Sequence, residues 1–322
     1  MKLSSVVAVL GVLIFATAAD AQTTALRGAR VIDGRGGAPI DNATIIIRDG
    51  RIVAIGPSAG TAVPSDAEVV DYSGKTIIPG LVSDHSHVGI FVGLKAAPEN
   101  YNRDAILRQL KQLEAYGVTT VMALGLNGPL FYELRPELHA GRLPGADLFG
   151  ADQGIGVVGG QPSSVVVPVG ENQVSRPDTV EMARESIRQM AARKTDMVPK
   201  VPPEVYSAVI DEAHKNGLRV AAHIYDLDDA KAIVRAGVDI IAHGVRDKPV
   251  DVEFIDMNES AIGLVLSTIV LDYTGYVFAE QPPWMHEPFL QRALHPAVRA
   301  QFDDPAYRER TSRARLNGSP YD

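Results

Sequence analysis

Residues 203–243 read PEVYSAVIDEAHKNGLRVAAHIYDLDDAKAIVRAGVDIIAH, and two hydrophobic periodicities alternate along them. Apolar residues recur at helical spacing over 203–216, whereas Leu218–Ile224 is an apolar run typical of a buried strand. A second helix pattern over Asp228–Ala236 and a second strand pattern over Val238–His243 follow. Strands that alternate with helices are typical of a parallel sheet, so the sequence predicts an α/β fold, open or closed into a barrel.

The alternation of helix and strand patterns continues on both sides of this segment. For the helix at residues 179–193 we expect Asp178 to be the N-cap, because aspartate accepts hydrogen bonds from first-turn amides. The other predicted elements are a helix over 104–116 and strands over 118–124, 146–151 and 262–266.

Residues 25–78 follow a different pattern of short strands and turns. Asp49-Gly50 separates two β-branched runs, 44–48 and 51–55, and is a strong signal for a two-residue hairpin turn. We therefore predict a small β domain over 22–78, ahead of the α/β part over 79–322.

The first 21 residues are expected to be a secretory signal peptide. Met1-Lys2 gives a positive start, 6–19 is apolar, and Ala19-Asp20-Ala21 supplies small residues around a cleavage site. The apolar run is shorter than a membrane span, so a membrane anchor is the weaker reading. We expect an exported protein, periplasmic or secreted.

Composition excludes several classes of function. The 322 residues include no cysteine, which excludes a disulfide scaffold, a Cys-ligated zinc finger and a cysteine nucleophile. The formal charge of −8 argues against a nucleic-acid partner, which usually requires a basic face. No G-x-S-x-G motif supports a serine hydrolase.

Four histidines follow predicted strands. His85 and His87 end the apolar run that starts at Thr76, and His223 and His243 each end a strand of the α/β pattern. Parallel-sheet enzymes place their sites at these carboxyl ends, and imidazole is a ligand for zinc and related metals. One such histidine alone would be read as structural, but four at matching positions predict a metal site.

These features together resemble the amidohydrolase superfamily. Thr76–Val82 followed by His85-Ser86-His87 is similar to the entrance of that family's barrel, and 22–78 resembles its small β-sandwich domain. Val205–His243 is similar to the strand-five and strand-six segment of relatives of imidazolonepropionase and Xaa-Pro dipeptidase. The resemblance implies a (β/α)8-type TIM barrel over 79–322. It also implies one or two divalent ions, most simply zinc, on the four histidines.

The implied activity is hydrolysis of an amide or other C–N bond by metal-activated water, in a dipeptide, an N-acyl amino acid or a cyclic amide. Two-metal members bridge their ions with a lysine at the end of strand four. Here a proline occupies that place and Lys200 follows it, so Lys200 is either a displaced metal ligand or a solvated loop charge. No residue matches the family's strand-eight aspartate, which suggests a truncated barrel that lacks its last strand.

Two further residues are candidate substrate contacts. Gln161 occupies the family's glycine-rich loop after strand three, and Tyr225 closely follows His223. We expect a small-molecule substrate and a possible homo-oligomer in which another chain covers the missing strand. The alternative is a catalytically impaired relative that binds metal or ligand without turnover.

Overall fold

The computed structural model describes residues 23–156, 168–198, 206–261, 264–266 and 277–316. The predicted signal peptide over 1–21 and the candidate residues Gln161 and Lys200 lie outside these ranges. The chain divides into two compact units at Pro79–Gly80.

The first unit is a five-stranded sheet. Its strands are β1 (Thr23–Val31), β2 (Ile40–Arg48), β3 (Arg51–Pro57), β4 (Glu68–Asp71) and β5 (Thr76–Ile77). The order is β3-β2-β1-β4, with β5 also paired to β1. Asp49 and Gly50 both have positive φ, 50° and 71°, as a type I′ turn between β2 and β3 requires, so the predicted hairpin is confirmed. Ala29, Val31 and Ile45 belong to its buried cluster.

Strands of the second unit are short and mostly parallel. They are β6 (Leu81–Ser86), β7 (Phe91–Val92), β8 (Lys95–Ala96), β9 (Val118–Ala123), β10 (Asp147–Gly150), β11 (Gly154–Ile155), β12 (Val174–Ser175), β13 (Met197–Val198), β14 (Arg219–His223), β15 (Ile240–Ala242) and β16 (Leu264–Leu266).

Helices connect these strands. They are α1 (Arg103–Ala115), α2 (Pro129–His139), α3 (Val180–Ala192), α4 (Tyr206–Lys215), α5 (Leu227–Arg235), α6 (Val252–Ala261), α7 (Pro288–Ala293), α8 (Pro296–Asp303) and α9 (Pro305–Leu316). Within the described ranges, residues from 277 onward form helices and no strand.

Two parallel sheets carry the second unit. One has the order β10-β9-β6, and the other has the order β13-β14-β15-β16. A single parallel bridge between Ala151 and Met197 links them. The α/β class predicted from the alternating pattern is therefore confirmed. The described strands form these two linked parallel sheets and the separate pairs β7-β8 and β11-β12, and they do not form a closed barrel.

Opposite faces of the strands meet different apolar clusters. On β14, Val220 and Ala222 pack in the cluster that includes residues of α3, α4 and α5, whereas Ala221 belongs to a smaller cluster with Met197 and Ala242. This alternation is the two-residue period of a strand. Because both faces are apolar, the strands read as continuous hydrophobic runs, which is typical of parallel sheets.

The structure corrects one predicted N-cap and adds helices that the sequence analysis did not predict. The predicted N-cap Asp178 is wrong, because α3 begins one residue later and the hydroxyl of Thr179 accepts the Met182 N–H at 3.2 Å. Helices α2, α6, α7 and α8 were not predicted. Among the described residues no helix is long and apolar enough to cross a membrane.

A glycine pair tests the close packing of β9 against β10. We expect Gly150→Ala to lower the free energy of unfolding by about 2–4 kcal/mol. Gly150 has φ 148°, and a Cβ there would lie 2.1 Å from the Ala123 carbonyl oxygen. Gly141→Ala is the matched control, since Gly141 has φ 66° and open space around its Cβ, and we expect it to cost about 1 kcal/mol. Urea denaturation measures both, and equal losses would contradict the close approach.

Candidate metal centre

His85 and His87 lie at the carboxyl end of β6. His85 is within the strand and His87 follows it immediately. Residues two apart on an extended chain point to the same face, so both rings are directed to one side of β6. Their ring centroids are 5.4 Å apart.

The next two histidines lie at the ends of β14 and β15. His223 shares the face of Ala221, away from the helices. His243 has the same parity as Ile241, which packs in the cluster with the helices. Continued strand geometry would therefore turn its ring away from His223. A left-handed backbone at His243, with φ 78°, redirects the side chain, and strain of this kind is typical of functional positions.

All four predicted histidines come together. The ring centroid of His85 is 4.8 Å from that of His223 and 4.6 Å from that of His243, and the His87 and His223 centroids are 5.8 Å apart. Nδ1 of His223 lies 2.8 Å from Nε2 of His243, a hydrogen bond that requires a proton on one of the two nitrogens. We call His85, His87, His223 and His243 the histidine cluster.

Burial keeps part of this cluster uncharged. Desolvation, and then the neighbouring His87, His243 and Arg246, lower the pKa of His85 to about 3. Desolvation also lowers the pKa of His87, although a hydrogen bond to the Gly125 carbonyl opposes the shift. At neutral pH these two rings are therefore neutral and carry the lone pairs that metal coordination requires.

The donor set fits a divalent transition metal. One nitrogen each from His85, His223 and His243 can be chosen so that all three lie within 4.8 Å of one another, which is the scale on which imidazoles surround one ion. Nδ1 of His85 is buried and has no hydrogen-bond partner in the described part of the chain. A buried polar atom without a partner is costly, and a bound ion would satisfy it. Neutral imidazole suits zinc, copper, nickel or iron.

His87 is oriented by the backbone. Its Nδ1 lies 3.4 Å from the carbonyl oxygen of Gly125, which follows β9. A carbonyl can only accept, so this contact places the hydrogen on Nδ1 and the lone pair on Nε2. Sequence patterns did not single out Gly125, because a backbone acceptor leaves no signature in residue type.

Of the two predicted substrate contacts, Gln161 and Tyr225, the described residues include Tyr225. Tyr225 is 55% exposed, and its carbonyl oxygen accepts the N–H of Arg246 at 2.8 Å. This hydrogen bond joins the loop after His223 to the loop after His243. Arg246, which the sequence analysis did not propose as a site residue, is the cation that contributes to the lowered pKa of His85.

The chain is similar in sequence to known proteins. The model of the Amidohydrolase family matches residues 76–257. The enamidase of Eubacterium barkeri is 27% identical over 254 residues, which cover 77% of this chain and 60% of the enamidase. The imidazolonepropionase of Rhizobium rhizogenes is 40% identical over 70 residues, 21% of this chain and 17% of that protein.

Solved structures share the fold. A Xaa-Pro dipeptidase with bound methionine in its active site aligns with a TM-score of 0.63 and 21% identity, over 92% of this chain and 78% of that structure. The chain thus spans only part of the length of its relatives, 60% in the case of the enamidase.

Acid should destabilise the metal-free protein through His85. The folded state keeps this ring neutral down to pH about 3, whereas the unfolded chain takes up a proton near its ordinary pKa of about 6.5. Stability from this group is therefore complete above pH about 6.5 and is lost as the pH falls toward 3. We expect His85 to account for a loss of about 1–2 kcal/mol in the free energy of unfolding between pH 7 and pH 5.

Urea denaturation in the presence of a chelator measures this loss. His85→Gln should flatten the pH dependence, and His286→Gln, an exposed histidine outside the cluster, should leave it unchanged. A pH dependence that is identical in His85→Gln and wild type would contradict the neutral buried ring.

Proposed function

The chain belongs to the amidohydrolase family, as its resemblance predicted, and from this premise we propose that it is a metal-dependent hydrolase that cleaves an amide or other C–N bond. The observation that carries the proposal is the histidine cluster, in which His85, His223 and His243 offer three converging nitrogens. Its substrate would be a small molecule such as a dipeptide, an N-acyl amino acid or a cyclic amide. The names of the relatives, enamidase and imidazolonepropionase among them, support this class of reaction.

We propose zinc as the metal, with His85, His87, His223 and His243 as its ligands. When bound, such an ion would polarise the scissile carbonyl and lower the pKa of water at the site. The protein's own groups set the conditions for this. Burial keeps His85 neutral, and the Gly125 carbonyl keeps the lone pair of His87 on Nε2. The parallel sheets that carry the cluster support a (β/α)8-type arrangement around it.

Arg246 supports a preference within this substrate class. Its positive charge acts on His85, so it would favour a substrate that brings a negative group to the centre. Dipeptides and N-acyl amino acids carry such a group as their free carboxylate. Tyr225, exposed beside Arg246, would contact the substrate at the rim of the site.

Metal analysis tests the site. We expect the purified protein to retain zinc after exchange into metal-free buffer, and His223→Ala to lose most of it, because the variant removes one of three converging nitrogens. His286→Ala serves as the control, since it is exposed and outside the cluster. Unchanged zinc content in a folded His223→Ala protein would refute the assignment.

Hydrolysis tests the activity. Incubation with dipeptides, N-acyl amino acids and cyclic amides should release hydrolysis products. A chelator should abolish this hydrolysis, and added zinc should restore it. Carboxylate substrates should react faster than their amidated counterparts because of Arg246. Zinc binding without hydrolysis of any compound would favour the alternative, a relative that binds metal without turnover.

A further inference from the structure

The turn after β9 is held in a strained conformation. Gly125 has φ 85° and is followed by Leu126 with φ 59°, two left-handed residues in succession. For a residue with a side chain this conformation costs about 1–2 kcal/mol, so Leu126 requires compensation from its surroundings. Strain that persists in a fold commonly serves a functional geometry.

Asn127 supplies part of that compensation. Its side chain is fully buried, and Nδ2 donates to the carbonyl oxygens of Ala123 at 3.2 Å and Ala151 at 2.6 Å. Ala123 ends β9, and Ala151 directly follows β10. One amide group therefore ties the carboxyl ends of two neighbouring strands to the turn. Its Oδ1 is buried without a partner among the described residues, a further cost that the fold retains.

Gln173 holds the same turn from another segment. It is 3% exposed, and its Nε2 donates to the Leu126 carbonyl at 2.7 Å while its Oε1 accepts the Gly170 N–H at 2.7 Å. Asn127 thus ties the turn to the ends of β9 and β10, and Gln173 holds the carbonyl of Leu126. What this fixed turn presents is the Gly125 carbonyl, which reaches Nδ1 of His87.

We propose that Asn127 and Gln173 are positioning residues that set metal affinity through His87, an inference that rests on the proposed role of His87 as a ligand. They hold the strained turn 124–127 so that the Gly125 carbonyl keeps the hydrogen of His87 on Nδ1 and leaves Nε2 free to coordinate. In the described part of the chain, both side chains bond to backbone groups of the turn and of the strands beside it, and they act on the histidine cluster through this backbone.

Zinc affinity, measured by competition with a chromogenic chelator, tests the proposal. We expect Asn127→Ala to weaken zinc binding about 10–100-fold, the usual effect of removing support behind a metal ligand. Thr195→Val is the matched control. Thr195 is also buried, and its hydroxyl donates to the carbonyls of Gly150 and Met197, so the variant removes comparable hydrogen bonds away from the turn. Its affinity should stay within about threefold of wild type.

The tautomer of His87 provides a readout that general destabilisation would not move. Nitrogen NMR of the metal-free protein should show His87 protonated on Nδ1 in the wild type and in Thr195→Val, and a mixture of tautomers in Asn127→Ala. If Asn127→Ala does not fold, Gln173→Met, which keeps the side-chain length and loses the bond to Leu126, should show the same change.

The two proposals fail in different ways. A wild-type protein that binds no zinc refutes the proposed metal site, whereas the tautomer comparison still decides the role of the turn. A folded Asn127→Ala protein with wild-type zinc affinity and an unchanged tautomer overturns the positioning role. Equal weakening in Thr195→Val overturns it as well, because the effect would then be general.

Discussion

Desolvation of imidazole is the constraint on which the site depends. Burial beside the other rings lowers the pKa of His85 to about 3. The folded protein therefore gives up the favourable protonation of this ring that the unfolded chain retains in mild acid. Such a cost is tolerated where a buried group has a use. Among the described residues, Nδ1 of His85 is buried without a hydrogen-bond partner, which supports the proposed role of this ring as a metal ligand. The surrounding apolar strands make this possible by excluding water from part of the cluster.

Strand geometry alone does not assemble the cluster. The two-residue alternation predicts a common face for His85 and His87, and it places His223 on the face of Ala221, away from the helices. His243 falls on the wrong parity and depends on a left-handed backbone to join the others. Gly125 and Leu126, in the turn after β9, also have left-handed backbone conformations. Regular strands thus determine where the histidines lie, and residues with irregular backbone conformations determine how their rings are oriented.

The sequence predicted most of what depends on periodicity and turn chemistry. The hairpin at Asp49-Gly50 and the strand ends that carry the histidines follow from local pattern. Helix α2 was missed because Pro136 inside it opposes helix propensity, and tertiary packing of Phe131 and Leu134 prevails. The roles of Gly125 and Asn127 were also missed. They depend on which backbone carbonyls come within hydrogen-bond reach in the folded chain, and a local sequence pattern does not show this.

The hydrogen bond between His223 and His243 has a consequence for how the centre would be filled. Neutral imidazole carries one N–H, so the hydrogen in this bond belongs to one of the two rings, and the nitrogen of the other ring accepts it. Coordination needs the lone pair of a nitrogen, so an ion held by both of these nitrogens would require the hydrogen to move to the other nitrogen of its own ring. Filling the centre would then begin with a change of tautomer at one ring, which needs no net loss of a proton.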